Sequence, residues 1–316
     1  MRYRTLGRSG LRISVLGLGC SGFGTRVTGP ELERLIRSAM DAGINFFDTA
    51  DVYGRGASEE ALGRALRGVR DQAVVATKVR WAVGQGANDR GASRIHIRAA
   101  AEASLRRLGT DRIDLYQIHA PDPATPVDET LAAMDALVSS GKVLYVGTSN
   151  FAGWQVVDAH WQAARTRGAQ PISTQAPYSL LDTRAERELL PAVRYLGTGF
   201  VACLVLARGY LAGAFGDDID RASLTARQRA YLTPANRRRR AGAADFAARH
   251  ETDLASVALR AIADAPGVTA VLAGASSVRQ VTGNAAALSV PLPAEHVNDL
   301  LSMARRADTE LADAEL

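Results

Sequence analysis

The chain has 316 residues, of which 47% are hydrophobic and 22% are charged, ordinary values for a globular protein that can bury a sizeable core. No apolar run reaches the roughly 18 residues of a membrane helix, and no continuous apolar stretch follows the first charges, so neither a membrane span nor a signal peptide is predicted and cytoplasm is the expected compartment. The formal net charge is +5, but most of the basic residues lie three or four positions from an acid. This spacing is typical of a solvated surface and predicts no nucleic-acid or membrane partner.

Short apolar runs alternate with longer amphipathic stretches along the chain, the pattern of repeated βα units. The N-terminal stretch "RYRTLGRSGLRIS" is typical of a small hairpin that could cap the bottom of a barrel. Eight strands are predicted, near residues 13–19, 45–49, 73–78, 113–118, 143–148, 172–175, 199–206 and 268–273.

Helical patterns lie between these strands, with recognisable start and stop signals. "GPELERLIRSAMDAG" has Pro30 early and Gly43 to stop it, and "SEEALGRALRG" is predicted to begin with Ser58 as its N-cap. Three further patterns each close on a glycine that can take a left-handed C-cap: "RIHIRAAAEASLRRLG", "DETLAAMDALVSSG" and "GWQVVDAHWQAARTRG".

Eight strands separated by helices favour a closed (β/α)₈ TIM barrel over an open sheet, and residues 1–316 are expected to form one domain. An open doubly wound fold would need a Gly-rich turn leading directly into a helix, whereas "GLGCSGFG" leads into none. Two regions lie outside the repeat, a long segment from about 208 to 250 and a C-terminal helix near 294–307. The long segment is expected to open on the catalytic face.

The run Arg237–Arg240, in "NRRRRAG", is the exception to the mixed charge pattern. It is short for a nucleic-acid patch and has no aromatic residues interleaved with it. A solvated loop or helix start is therefore the expected structure, with a phosphate or partner contact as the alternative.

Four ionisable side chains come at or just after the C-terminal ends of predicted strands, the end that carries the active site in a barrel. They are Asp48, Tyr53, Lys78 and His119. An ammonium beside a phenol lowers its pKa, a carboxylate can hold that ammonium, and a histidine can orient a carbonyl. Each residue alone is better explained as a cap, a turn residue or a satisfied polar group; the set together, in this strand order, predicts a proton-transfer site.

Lys78 is also one of only two lysines in the chain, the other being Lys142. A lysine is a compact point charge whose pKa changes readily when buried, while an arginine is a wide fork that stays charged. The sequence therefore predicts that Lys78 lies between Asp48 and Tyr53, where a fork would not fit, and that Lys142 is solvent-exposed at the opposite face.

The sequence resembles the aldo-keto reductase family nearly from end to end. The resemblance lies in "LGRSGLRISVLGLG", "NFFDTADVYGRGASEEALGRAL", "VVATKV", "SLRRLGTDRIDLYQIH", "GKVLYVGTSNFAGW", "LLDTRAERELLP" and "GVTAVLAGASSVRQV". It implies a (β/α)₈ barrel that binds NADPH without a Rossmann motif and reduces aldehydes and ketones. It also implies that Tyr53 is the proton donor, that Asp48 and Lys78 tune its pKa, and that His119 orients the carbonyl. Three polar residues would hydrogen-bond the nicotinamide carboxamide: Ser149, Asn150 and Gln175.

The chain departs from the family after the seventh predicted barrel strand. Members commonly have an aromatic-Ser-Pro-Leu stretch there, whereas this chain has "ACLVLARG", with Cys203, Leu204 and Val205 at those positions. The resemblance leaves Leu206, Arg208 and Gly209 as cofactor contacts. Cys203 is interpreted as a small core residue, and Cys20 and Cys203 are too few and too isolated for a disulfide framework or a metal site, so no metal is expected.

The adenosine end, "GASSVRQVTGN", keeps most of the family's residues. Four of them are implied cofactor contacts: Gly274, Ser276, Gln280 and Asn284. Gly283 stands where a glutamate is usual, and Ser276 stands where many members have a phosphate-binding Arg or Lys. Arg279 is expected to bind the 2′-phosphate instead, which favours NADPH over NADH.

The expected partner is a small carbonyl substrate, with a keto-sugar or another secondary-metabolite carbonyl among the options. Phe23, Tyr53, Trp81 and His119 would line a partly aromatic mouth suited to an apolar or sugar face. Two alternatives stay open, a cofactor-binding regulatory subunit and a degenerate member with weak activity. The sequence leaves the oligomeric state open.

Overall fold

The computed structural model describes residues 1–216, 218–289 and 292–312. The chain opens with a hairpin of two antiparallel strands, β1 (Tyr3–Thr5) and β2 (Arg12–Ser14). Leu6 and Ile13 from this hairpin are fully buried and join the apolar cluster inside the barrel. The predicted hairpin is thus present and closes one end of the barrel.

Eight parallel strands then form a closed barrel in chain order, with the last strand pairing with the first. They are β3 (Leu16–Gly19), β4 (Phe46–Asp48), β5 (Val74–Val79), β6 (Ile113–Ile118), β7 (Val143–Ser149), β8 (Ser173–Pro177), β9 (Gly199–Cys203) and β10 (Val268–Gly274). The predicted (β/α)₈ barrel is confirmed.

Helices cover the outside of the barrel and pack their apolar faces on the strands. Those within the described residues are α1 (Gly29–Asp41), α2 (Ala57–Ala65), α3 (Arg94–Leu108), α4 (Val127–Ser139), α5 (Gly153–Thr166), α6 (Leu189–Leu196), α7 (Ala226–Arg229), α8 (Pro234–Arg249), α9 (Leu254–Ala263), α10 (Val278–Ala287) and α11 (Ala294–Ala312). None of the helices in these ranges is long and apolar enough to cross a membrane.

Two predicted strands have different limits in the structure. The first, predicted at 13–19, is divided between β2 and β3, because the chain passes from the hairpin into the barrel at Val15. The seventh, predicted at 199–206, ends at Cys203, because Leu204 has a left-handed φ of 56° that a strand does not accommodate.

Two predicted helix ends were wrong. Ser58 does not cap α2; it lies inside the helix, fully buried, and its hydroxyl donates to the Cys20 carbonyl at 2.7 Å. The left-handed residue that ends α5 is Arg167, with φ 54°, and not the glycine that follows it.

The arginine run lies in the first half of α8, which Thr233 caps by accepting from the Asn236 amide. The expected helix start is therefore observed, but Arg239 is not solvated. It is 4% exposed and donates to the Ala304 carbonyl of α11 at 3.0 Å. One arginine of the run thus joins α8 to the C-terminal helix.

Alternation along the strands divides the barrel interior into an apolar layer and a polar layer. The cluster around Leu6 and Ile13 contains the inward residues near the strand starts: Phe46, Ala76, Leu115, Val201, Ala270 and Leu272. Two residues further along, on the same face, β4, β5 and β6 carry Asp48, Lys78 and Gln117. The polar layer therefore lies at the C-terminal ends of the strands.

Candidate active site

A buried ion pair forms the centre of the polar layer. Lys78 Nζ donates to Asp48 Oδ1 at 2.5 Å and to the Thr49 carbonyl at 2.9 Å. The two charged side chains are 0% and 5% exposed. Burial alone would lower the pKa of Lys78, but the Asp48 charge and the Tyr53 phenol together raise it above its ordinary value. Lys78 is therefore a fixed positive charge at neutral pH.

Tyr53 follows β4 and starts a short helical turn, Tyr53–Gly56, that includes left-handed Gly54 and Arg55. This turn places its ring so that Lys78 Nζ lies 5.3 Å from the ring centroid. Burial raises the pKa of the Tyr53 phenol, and Lys78 offsets only part of that rise, so the net pKa is above the ordinary value. The Lys78 charge lowers the pKa as expected, but desolvation by burial outweighs it.

His119 completes the group at the end of β6, its ring centroid 5.7 Å from that of Tyr53 in an edge-on arrangement. Burial lowers the pKa of His119 to about 3, with help from the charges of Lys78 and Arg80. Its Nδ1 is buried and has no hydrogen-bond partner within the residues that the structure describes. At neutral pH the imidazole is therefore uncharged, and the phenol is the protonated acid of the pair.

The mouth of the site is less aromatic than expected. Trp81 is 42% exposed, its ring centroid lies 6.2 Å from that of His119, and the Arg80 guanidinium stacks on it at 4.1 Å. Phe23 is only 1% exposed and packs in the hydrophobic core, beside a bridge to Val27. Phe23 was therefore wrongly expected at the mouth, since its ring packs against the core.

The three residues expected to hold the nicotinamide carboxamide lie together beside this group. Ser149 and Gln175 are paired in the register of β7 and β8, and Asn150 follows with a left-handed φ of 57°. Asn150 Nδ2 donates to the His119 carbonyl at 2.8 Å and to Ser149 Oγ at 3.0 Å. Gln175 Nε2 donates to Asp48 Oδ2 at 2.9 Å. Polar groups from two neighbouring strands thus adjoin the ion pair.

The segment after β9 is a series of left-handed turns. Leu204, Ala207, Arg208 and Gly209 all have positive φ, between 47° and 101°. Leu206 is half-buried between them, and the side chain of Arg208 is exposed. Burial, together with the charge of Asp48, raises the pKa of Cys203 to about 12, so that it is a protonated thiol at neutral pH.

The expected adenosine-end residues surround the start of α10. Ser277 caps this helix by accepting from the Gln280 amide, and Gln280 Oε1 accepts from both the amide and the hydroxyl of Ser276, at 2.7 and 3.0 Å. Arg279 is exposed in the first turn of the helix, whereas Asn284 is half-buried further along and Gly274 ends β10. A cation and a helix N-terminus at one place are suited to a phosphate group.

Two further buried polar residues of the site were not predicted. Gln117 Nε2 donates to Asp48 Oδ2 at 3.1 Å, and both oxygens of Asp51 are buried without a hydrogen-bond partner in the described ranges. Burial and the nearby Glu59 raise the pKa of Asp51 to about 7. Strand alternation could have identified Gln117, which is two residues after inward-facing Leu115, but no sequence signal separates Asp51 from a turn residue.

The chain is similar to known proteins over most of its length. Residues 15–305 match the model of the Aldo/keto reductase family. The chain is 40% identical over 306 residues to "Uncharacterized oxidoreductase YrpG" of Bacillus subtilis, covering 93% of each chain. It is also 37% identical over 312 residues to a "Probable voltage-gated potassium channel subunit beta" of rice, covering 95% of each, and 34% identical over 302 residues to a protein of the same name in Arabidopsis thaliana, covering 92% of each.

The chain therefore belongs to the aldo/keto reductase family. It is an NAD(P)H-dependent oxidoreductase of that family.

Proposed function

We propose that this protein reduces an aldehyde or ketone to an alcohol with NADPH, and that Tyr53 gives the proton. The observation that carries the proposal is the arrangement around Tyr53: Lys78 Nζ lies 5.3 Å from the Tyr53 ring centroid and is held by Asp48, and the His119 ring lies 5.7 Å from the Tyr53 ring. The Tyr53 phenol is protonated at neutral pH, Lys78 beside it is a fixed cation, and His119 is uncharged. Neutral His119 keeps one ring N–H that can donate a hydrogen bond, but this N–H is a much weaker acid than a phenol, so Tyr53 is the proton donor of the two.

Each residue has a distinct task in this mechanism. Tyr53 donates its proton to the carbonyl oxygen as negative charge develops there, and the Lys78 ammonium stabilises the phenolate that remains. Asp48 holds that ammonium through its 2.5 Å contact. His119, as a neutral imidazole, hydrogen-bonds the carbonyl oxygen and orients it.

The residues present fit a nicotinamide cofactor lying across the C-terminal ends of the strands. Ser149, Asn150 and Gln175 would hold the carboxamide, and the left-handed segment at Leu206, Arg208 and Gly209 would lie along the phosphates. The adenosine end would lie against Gly274, Ser276, Arg279, Gln280 and Asn284. When bound, NADPH supplies the hydride that the carbonyl carbon receives.

The substrate class is proposed from the mouth of the site. Trp81 offers a broad exposed ring next to His119, and Arg80 stacks on that ring. A flat indole face suits an apolar surface or the apolar face of a sugar. A small carbonyl compound, with keto-sugars among the candidates, is therefore the class to screen first.

A regulatory subunit is the second candidate, because two of the plant relatives are named as probable potassium channel β subunits. A protein that only binds a cofactor does not need a phenol placed beside a buried ammonium. The complete group of Asp48, Tyr53, Lys78 and His119 favours catalysis. A protein that binds NADPH but reduces none of a broad carbonyl panel would support the second candidate.

Tyr53→Phe tests the proposed role of the phenol. The variant loses only the hydroxyl, so carbonyl reduction should fall on the order of 10²- to 10⁴-fold while NADPH affinity changes little. Tyr195→Phe is the matched control, since Tyr195 is 87% exposed on α6. Steady-state kcat on a good substrate and fluorescence titration of NADPH measure the two effects. Reduction by Tyr53→Phe at close to the wild-type rate would remove Tyr53 as the acid.

Arg279→Ala tests the cofactor preference. If the guanidinium binds the 2′-phosphate, the substitution should weaken NADPH binding by roughly 1.5–3 kcal/mol, as expected for a charge-assisted hydrogen bond, and leave NADH binding unchanged. Arg98→Ala, at an exposed position on α3, is the control. Dissociation constants for both cofactors decide the matter, and equal affinities in the wild-type protein would contradict a 2′-phosphate site.

A further inference from the structure

We propose that Gln117 is a positioning residue for the reaction, whose side-chain amide acts with that of Gln175 to hold Asp48 in the orientation that fixes Lys78 beside Tyr53. This inference rests on the proposed function and extends it to a residue outside the group of four. Gln117 touches none of the reacting atoms and acts through Asp48.

The two oxygens of Asp48 have separate sets of donors. Oδ1 accepts from Lys78 Nζ at 2.5 Å. Oδ2 accepts from Gln117 Nε2 at 3.1 Å and from Gln175 Nε2 at 2.9 Å. Since an ionised carboxylate only accepts hydrogen bonds, this arrangement satisfies it on both sides and prevents it from rotating about its own axis.

Burial makes this arrangement important. Asp48 is 3% exposed, Gln175 4%, and Lys78 and Gln117 are fully buried. Water therefore cannot replace a lost donor easily, and an unmet charge in the barrel interior is costly. Each amide that reaches Oδ2 thus helps to keep Asp48 ionised.

The strand register fixes where Gln117 can reach. Gln117 is paired with Lys78 on β5 and with Gly147 on β7. A Cβ at position 147 would lie 2.8 Å from Ser173 Oγ and 3.3 Å from Gln117 Cγ, so the glycine leaves room for both side chains. The neighbouring strands thus direct the amide across the barrel toward Asp48.

Stability alone does not explain a glutamine at this position. Its Oε1 is buried and lacks a hydrogen-bond partner among the described residues. Burying an amide with an unmet oxygen is unfavourable compared with an apolar side chain of similar size. The donor that Gln117 gives to Asp48 is the compensating interaction.

Loss of the Gln117 amide would affect catalysis through the ion pair of Asp48 and Lys78. Several titratable groups act on Asp48 or on its partner Lys78. They are Tyr53 from the loop after β4, the thiols of Cys20 and Cys203, His119 after β6, and Asp51. If one amide is lost, Asp48 is freer to turn, and Lys78 is held less firmly beside the phenol. The negative charge of Asp48 also acts more strongly on Tyr53 and disfavours its phenolate.

Two substitutions separate positioning from simple space filling. Gln117→Met keeps the approximate shape and removes the donor. Gln117→Glu keeps the shape and can donate only while its carboxyl is protonated, which the neighbouring Asp48 charge favours. We expect Gln117→Met to lower kcat on the order of 10- to 100-fold, because the reacting groups are misplaced, with KM and NADPH affinity nearly unchanged.

The pH profile gives the discriminating result. Gln117→Glu should be close to wild type near pH 5.5, where the carboxyl donates, and should fall below Gln117→Met as the pH rises and two carboxylates face each other. Wild-type kcat and a wild-type pH profile in Gln117→Met would overturn the proposal. Identical pH profiles for the Met and Glu variants would also overturn it, since they would mean that Gln117 only fills space.

A cofactor-free measurement separates this inference from the proposed function. The ultraviolet absorbance of each protein is titrated with pH, and so is that of the same protein carrying Tyr53→Phe in addition. The difference between the two titrations reports the ionisation of the Tyr53 phenol alone. We expect its pKa to be higher in Gln117→Met than in wild type, and an unchanged pKa would count against the positioning role. A wild-type protein that reduces no carbonyl would instead contradict the proposed function, while this titration would still test Gln117.

Discussion

Lys78 shows how one side chain can be decisive at the residue scale. The chain has 38 lysines and arginines together, and only Lys78 and Lys142 are lysines. Lys78 is fully buried between Asp48 and the Tyr53 ring, where a single point charge contacts one carboxylate oxygen and one carbonyl. A planar guanidinium with five donors is too wide for those partners and would leave donors unmet.

Lys78→Arg should therefore lower kcat on the order of 10²-fold or more, although the charge is retained. Lys142 supplies the control, because its side chain is 40% exposed and pairs with Glu102 on the surface of α3. The expected exposure of Lys142 is thus only partial, but an arginine can make the same surface pair. Measurement of kcat at saturating cofactor and of Tm for both variants tests the contrast.

Comparable activity at positions 78 and 142 would show that the rarity of lysine in this chain has no functional meaning. Lys78→Met adds a second comparison. It leaves Asp48 buried without its counter-charge, which typically costs about 3–5 kcal/mol, so this variant should lose both activity and thermal stability.

Asp51 should make stability depend on pH. Its pKa is raised by burial and by Glu59 from 3.8 to about 7, so the folded protein holds a proton that the unfolded chain has already released between those pH values. The folded state is consequently destabilised as the pH rises through that range, by at most about 4 kcal/mol. Asp51→Asn removes this dependence.

The Tm of Asp51→Asn should exceed that of wild type by several degrees at pH 8 and by much less at pH 5. Asp245→Asn, at an exposed position on α8, should show no such difference between the two pH values. A constant difference between Asp51→Asn and wild type at both pH values would mean that Asp51 is ionised in the folded protein throughout.

At the element scale, the order and type of the strands and helices could be predicted, while several of their ends could not. The alternation of apolar and polar residues, and the short apolar runs, show which face of an element is buried. These patterns lie within each element's own sequence. The end of β9 depends on the left-handed Leu204, and the end of α5 on left-handed Arg167 where a glycine follows directly. Non-glycine residues take this conformation only where the surrounding structure requires it, so composition does not show it.

Within correctly predicted elements, tertiary contacts gave some residues a different role from the one that the sequence predicted. Ser58 has the type and place of an N-cap, but its hydroxyl bonds with Cys20 and Thr49 in the interior. Arg239 is one of four consecutive arginines, yet it alone of the four is buried, and it donates to the Ala304 carbonyl in the middle of α11. Cys20 lies 38 residues from Ser58, and Ala304 lies 65 residues from Arg239, so neither of these contacts could be predicted from the local sequence.

At the scale of the whole molecule, the candidate site was predictable where residues reach it from strand ends. Asp48, Tyr53, Lys78 and His119 follow from the barrel and the strand limits, and the family resemblance adds the role expected of each. The direction of the net pKa shift of Tyr53 and the buried position of Phe23 were not predictable. Both depend on how completely the surrounding structure excludes water, and many separate strands, helices and loops contribute to that exclusion.

The N-terminal hairpin closes the barrel at the end opposite the site, and Gly7 is the position on which that closure depends. Gly7 has φ 57°, and a Cβ there would lie 2.2 Å from the Ile172 carbonyl oxygen and 2.6 Å from the Gly199 nitrogen. Those are backbone atoms at the starts of β8 and β9 and cannot move aside like a side chain. Close contact at Gly7 therefore seats Leu6 in the barrel interior.

Gly7→Ala should consequently destabilise the protein by roughly 3–5 kcal/mol, from the left-handed strain and the steric overlap together. Gly10, three residues away in the same turn, is the control, because a Cβ there meets nothing within 4 Å. Gly10→Ala should stay within about 0.5 kcal/mol of wild type. Urea unfolding of both variants measures the difference. Equal stabilities would show that the hairpin can shift away from the barrel without cost, and that the apolar cluster around Leu6 and Ile13 does not require its closure.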